Sequence, residues 1–138
     1  MPLAPPFSHP LRVRYNECDP QGIVFNANYA IYVDLTVGEL WRTLFGSYQA
    51  FIERTGVDIV VAELRLRFRA SARFDDMIAV ELAPQLTSAS SVTTAFRIVR
   101  ADTLLVEGSI RHVCVDAREL TKTAAPSLLR EALGAGAA

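Results

Sequence analysis

The chain has 138 residues, 51% of them apolar and 21% charged, and its 14 basic against 15 acidic side chains leave a net charge of −1. That size and composition describe one globular domain, slightly oilier than average, with apolar surface to spare for contacts between subunits. The near-zero charge argues against an electrostatic nucleic-acid binder, and no run approaches the eighteen or so apolar residues of a membrane span.

The opening Met1-Pro2-Leu3-Ala4-Pro5-Pro6 lacks the basic and apolar regions of a secretory signal. Cys18 and Cys114 make no disulfide framework, so both are expected as reduced thiols in a cytoplasmic protein. Residues 1–10 hold four of the seven prolines and read as an extended leader. Leu11-Arg12-Val13-Arg14-Tyr15 alternates apolar and basic residues, the period of a half-buried strand. Asp19-Pro20-Gln21-Gly22 ends it with turn chemistry, an Asp before Pro and a Gly free to take positive φ.

The next segment carries a helical period. Tyr29, Tyr32, Val33, Thr36, Val37, Leu40, Trp41 and Leu44 share one helix face over about four turns. Ala30, Ile31 and Leu35 add apolar residues beyond that stripe, so this helix is expected to be largely covered. Asn26 or Asn28 offers an N-cap and Gly46 a stop.

Beyond Gly56 the period becomes two. Leu64, Leu66 and Phe68 alternate with Arg65, Arg67 and Arg69, which predicts a strand over Glu63–Arg69. Phe74-Asp75-Asp76 is a turn, and Met77–Leu86, Val92–Arg100 and Leu104–Val115 are three further strands joined by short polar links. Residues 126–133 read as a closing helix and 134–138 as a disordered tail. Strands joined by two to five residues pair antiparallel. The expected class is therefore α+β: one domain over residues 1–138, a curled antiparallel sheet of about five strands wrapped round one long central helix.

Chemistry has few places to reside. His9 and His112 are isolated, no metal-ligand spacing occurs, and the scattered glycines form no phosphate loop, so neither metal nor cofactor is implied. His112 shares a strand face with Ile110 and Cys114 and reads as structural. Asp19 lies in a tight turn seven residues before the helix opens at Asn26. Helix N-termini present unpaired N–H groups and a positive dipole end, which stabilise a developing oxyanion. A carboxylate beside that point can act as nucleophile or as base for water, although an Asp-Pro turn needs no such role. Alternation along a strand end turns Cys18 away from Asp19, and no histidine base is near, so Cys18 reads as packing. Arg65, Arg67 and Arg69 project from one strand face about 6.8 Å apart, which suits a solvated face, a subunit contact or recognition of a phosphorylated carrier.

The segment Arg14-Tyr15-Asn16-Glu17-Cys18-Asp19-Pro20-Gln21-Gly22-Ile23-Val24-Phe25-Asn26-Ala27-Asn28-Tyr29 resembles the active-site segment of the 4-hydroxybenzoyl-CoA thioesterase family of hotdog-fold hydrolases. The resemblance continues through Tyr32, the Arg73-Phe74-Asp75-Asp76-Met77 turn and Val113-Cys114-Val115-Asp116. It implies a hotdog fold, a homodimer with a continuous sheet or a dimer-of-dimers homotetramer, and hydrolysis of an aromatic or short to medium acyl-CoA without a metal. By the same resemblance Asp19 is the catalytic carboxylate and the Asn26 backbone amide the oxyanion donor. Gly22, Val24, Phe25, Tyr29, Tyr32, Ser90 and Ser91 are the implied substrate-binding residues. Many members carry His where this chain has Asn26, and the link before the fourth strand, often basic in relatives, is Leu86-Thr87-Ser88-Ala89-Ser90-Ser91 here. CoA phosphates would then meet hydroxyls, backbone amides or arginines from elsewhere. The rival readings are a hotdog module that holds an acyl thioester without cleaving it, and a thioesterase acting on acyl carrier protein. A hydratase on the same fold would need a histidine in the helix-start segment, which has none.

Overall fold

The computed structural model describes residues 6–134. The first five residues of the expected leader and residues 135–138 of the expected tail lie outside them. The elements run β1 (Phe7–Arg12), a 3-10 turn (Tyr15–Glu17), α1 (Ala27–Phe45), α2 (Tyr48–Thr55), β2 (Val57–Phe68), β3 (Met77–Leu86), β4 (Ser91–Arg100), β5 (Thr103–Asp116) and α3 (Ser127–Ala132). All strands pair antiparallel in one sheet of order β1-β3-β4-β5-β2. The sheet curls round α1, as the patterning implied.

α1 is the core of the molecule. Tyr29, Tyr32, Val33, Thr36, Val37, Leu40, Trp41 and Phe45 are all buried. The buried stripe ends on Phe45, where Leu44 was expected, and Leu44 is half-buried. Against it the sheet presents Ile78, Val80, Leu82, Phe96, Ile98, Val106 and Ile110. Burial of each such side chain is worth about 1.5–3 kcal/mol, so helix and sheet hold one another. Gly46 closes α1 at φ 90°, its N–H bonded to the Arg42 carbonyl 2.9 Å away. Asn26 occupies the N-cap position without capping through its side chain. Its dihedrals (φ −54°, ψ −36°) are already helical, whereas a capping side chain needs an extended residue there.

Three expectations are corrected. The first strand begins at Phe7, inside the expected leader, and ends at Arg12, with the chain turning into a 3-10 turn where the alternation predicted strand to Tyr15. β1 is an edge strand, so Pro10, opposite Ala79, is tolerated despite its missing N–H. α2 was not foreseen; it is short, mostly polar, and buries only Phe51. β2 starts six residues earlier than the arginine alternation, and its register shifts between Val61 and Glu63. Being an edge strand, it leaves Leu64 and Phe68 38% and 52% exposed, and of the expected apolar face only Leu66 packs on the core.

Candidate active site

The Asp19 turn is a small hairpin pinned on both sides. The Asp19 N–H donates to the Ile23 carbonyl (2.8 Å), the Gly22 N–H to the Asp19 carbonyl (2.9 Å), and Gly22 takes φ 81°. The half-buried Asp19 carboxylate accepts the Gln21 N–H at 2.8 Å on Oδ1. Its Oδ2 accepts from no other group among the described residues. The hairpin is sewn to the β2–β3 link: the Val24 N–H donates to the Ala72 carbonyl at 2.9 Å, while the fully buried Ala72 donates its own N–H to the Tyr29 hydroxyl at 3.1 Å. Arg73-Phe74-Asp75-Asp76 is held in turn by Val13, which donates to the Asp76 carbonyl (2.9 Å) and accepts from the Asp75 N–H (3.0 Å).

At the start of α1 the Asn26 N–H donates to no group among the described residues. Asn26 lines a cavity of about 260 Å³ whose walls include Val24, Tyr29, Phe68, Arg69 and Ala70. An unpaired N–H at the positive end of a 19-residue helix is a ready donor to an anionic oxygen. Asp19 lines a neighbouring hollow of about 450 Å³ with Gly22, Cys18, Tyr15 and Phe74.

Of the residues implied by resemblance, Val24 and Tyr29 line the Asn26 cavity and Gly22 lines the Asp19 hollow. Phe25 stands 49% exposed beside them. Tyr32 points elsewhere: it is 1% exposed and donates its hydroxyl to Glu17 Oε1 at 2.8 Å. Ser90, in the β3–β4 link, and Ser91, the first residue of β4, are both buried, and Ser91 Oγ bonds Thr87 and Ser88. Ser91 lies opposite Val113, which lies opposite Val60, so within one chain these serines stand about 27 Å along the strands from Phe68.

Cys18 is not in a strand, so alternation does not apply, and it lines the same hollow as Asp19. Burial, then the Asp19 and Glu17 carboxylates, push its thiol up and disfavour the thiolate. The buried His112 is held toward its neutral form by desolvation, against a weaker pull from Asp34. The arginines divide. Arg69 lines the Asn26 cavity and pairs with Glu107 at 2.8 Å, Arg65 sits 3.5 Å from Glu63, and Arg67 has no ion pair among the described residues. Arg65 and Arg67 border a separate hollow of about 580 Å³, with Arg97, Glu81 and Glu107, that includes neither Asp19 nor Asn26.

Sequence reasoning gave no role at the site to Glu17, Phe68 or Ala72, and named Arg69 only as one of three arginines that could meet a phosphorylated carrier. Glu17 carries a signal, a carboxylate three residues after Arg14, while Ala72 has none, since it acts through its backbone.

Residues 13–133 match the thioesterase-like superfamily. The chain belongs to that family. The acyl-CoA thioester hydrolase YbgC of Escherichia coli O6:H1 is 34% identical over 123 residues, covering 87% of this chain and 90% of that protein. A thioesterase-superfamily protein from Jannaschia sp. CCS1 superposes with a TM-score of 0.88 at 18% identity, covering 98% of this chain and 95% of the other. The 1,4-dihydroxy-2-naphthoyl-CoA thioesterase of Synechocystis superposes at 0.82 and 22% identity, covering 93% and 95%. The fold of this family member is the hotdog fold, and the chain is a thioester hydrolase. No helix among the described residues is long and apolar enough to cross a membrane.

Proposed function

We propose that the chain hydrolyses acyl-CoA thioesters, with the Asn26 N–H polarising the thioester carbonyl and Asp19 as nucleophile or general base. The observation that carries this reading is that two groups without a partner among the described residues, the Asn26 amide and Asp19 Oδ2, lie on either side of one pinned hairpin, in residues that line neighbouring hollows. As nucleophile, Asp19 attacks the carbonyl carbon, the C–S bond breaks, CoA leaves as thiolate, and water cleaves the mixed anhydride. As base, Asp19 takes a proton from water as the water oxygen attacks the same carbon, and the thiolate leaves from the tetrahedral intermediate. In either route negative charge grows on the carbonyl oxygen, where a fixed amide at a helix N-terminus is most effective. Phe68 and Tyr29, ring centroids 5.8 Å apart, offer flat apolar walls for the acyl group. The E. coli relative's name and the Synechocystis neighbour's aromatic acyl-CoA substrate support this class.

The reading includes a homodimer. β2 is a 12-residue edge strand bearing exposed Val60, Val61, Leu64 and Phe68, with Ile31 of α1 exposed as well. An apolar edge of that length is a template for another strand. Two-fold pairing of β2 with its copy sets the start of one β2 against the end of the other. That carries the second copy's Ser90 and Ser91 toward the first copy's Asn26 cavity, and a further pairing of dimers gives the tetramer.

Free thiol release from a panel of aromatic and aliphatic acyl-CoAs and acyl carrier proteins tests the activity. Wild-type turnover should be lost at least about 10²-fold in Asp19→Asn, which keeps shape but removes charge. Tight binding without thiol release would establish the holding module instead, and turnover confined to carrier-protein substrates would replace CoA as the carrier.

A further inference from the structure

Glu17 is a carboxylate buried to 8% exposure that neither catalytic route uses, yet it is the most heavily bonded acid among the described residues. Its Oε1 accepts the Arg14 N–H and the Tyr32 hydroxyl, both at 2.8 Å, and its Oε2 accepts Arg14 Nε at 2.9 Å and Nη2 at 2.7 Å. Its main-chain carbonyl accepts two more, from the Phe25 N–H at 2.9 Å and the Asn28 side-chain amide at 2.8 Å. Asp19 is two residues beyond Glu17, and Asn26 lies between Phe25 and Asn28. Glu17 therefore clasps the segment that carries the carboxylate to the helix that carries the amide donor. Tyr32 extends the clasp one and a half turns into α1, past the first turn where a helix frays most easily.

We propose that Glu17, locked by Tyr32 and Arg14, is a positioning residue that sets the Asp19 carboxylate against the Asn26 N–H. The inference rests on the catalytic reading of Asp19 above. A buried carboxylate filled by four donors has no capacity left for a substrate, which separates it from a binding role. Its rigid wiring fits a site in which a displacement of about 1 Å costs about 10²-fold in rate.

Tyr32→Phe is the decisive variant, because it removes one hydroxyl and no carbon. Thiol-release kinetics should show kcat reduced about tenfold with KM within about twofold, the signature of geometry lost in the transition state and not of weaker binding. Glu17→Gln should lower kcat further, since an amide NH2 must then face Arg14 or Tyr32 donors. Thermal melts confirm that each variant is folded under assay conditions. The residual rate of Asp19→Asn supplies the coupling: adding Tyr32→Phe to it should cost no further activity, because there is no charge left to position. An unchanged kcat in folded Tyr32→Phe, or the same tenfold loss repeated in the Asp19→Asn background, overturns the positioning role and leaves the catalytic reading standing. A fully active Asp19→Asn enzyme overturns that reading and this inference with it.

Discussion

Replacing Asn26 by proline should silence the enzyme without unfolding it. Three features of the structure set that expectation. The Asn26 N–H holds no hydrogen bond to lose among the described residues, its φ of −54° lies within the range of a proline ring, and its side chain is exposed. Proline therefore deletes the donor to the thioester oxygen and little else. Loss of one preorganised oxyanion donor costs about 2.7–4 kcal/mol, or about 10²–10³ in kcat. Asn26→Ala is the matched control: it keeps the amide, removes a side chain that caps nothing, and should hold kcat within roughly threefold. Steady-state thiol release gives kcat and KM, and thermal melts of all three proteins show whether they are folded alike. Equal inactivity of folded Ala and Pro variants would transfer the role to the asparagine side chain. A folded, active Pro variant would refute the amide as the oxyanion donor.

Other outcomes follow from the same geometry. Arg69→Ala should raise KM for acyl-CoA about tenfold with kcat little changed if this arginine meets the carrier's phosphates, because it alone of the row lines the Asn26 cavity; Arg65→Ala and Arg67→Ala, bordering the separate hollow, should change KM less than about threefold. Val61→Lys places a charge on the exposed β2 edge and should shift light scattering toward monomer, with activity falling in parallel; a fully active monomer refutes the shared site. Glu17 is also legible in acid: desolvation alone would raise its carboxyl, but the Arg14 backbone and guanidinium and the Tyr32 hydroxyl outweigh it and hold the carboxyl below its ordinary 4.5. A group whose pKa is depressed on folding contributes stability above its unfolded value and loses it as pH falls toward the folded one, so denaturant midpoints should drop below about pH 4.5 less steeply in Glu17→Gln than in wild type. Gly108→Ala should lower Tm by several degrees, since a Cβ there would stand 1.9 Å from the Arg65 carbonyl oxygen, backbone that cannot swing aside.

What could be read from the sequence was what local spacing encodes. The α1 stripe from Tyr29 to Trp41 is a property of one segment, as are the alternations of β3, β4 and β5 and the turn chemistry of Asp19 to Gly22. The misread features depend on where a segment lies in the sheet. Alternation identifies Phe68 as apolar on a strand, but only the strand order makes it an edge residue and a cavity wall. Pro10 argues against a strand until β1 proves to be an edge. Tyr32 lies on the buried helix face in any reading, yet whether its hydroxyl meets substrate or Glu17 is decided by contact between segments fifteen residues apart. The register likewise removes Ser90 and Ser91 from the Asn26 cavity of their own chain.

The two halves of the Asn26 cavity differ in how free they are to change. One wall is the first turn of α1, and Tyr29 in that turn belongs to the same buried face that holds the sheet together, so the donor amide can move only if the core moves. The facing wall, Phe68 to Ala70, is the end of an edge strand and the link after it, where Phe68 is half exposed and Arg69 reaches a surface ion pair with Glu107. A lineage, or an engineer, could exchange residues on that second wall to admit a longer, flatter or more polar acyl group while the electrophilic centre stays fixed. Heat should show the opposite coupling: activity should persist until the cooperative melt and vanish with it, because the reaction centre has no softer hinge by which to fail first.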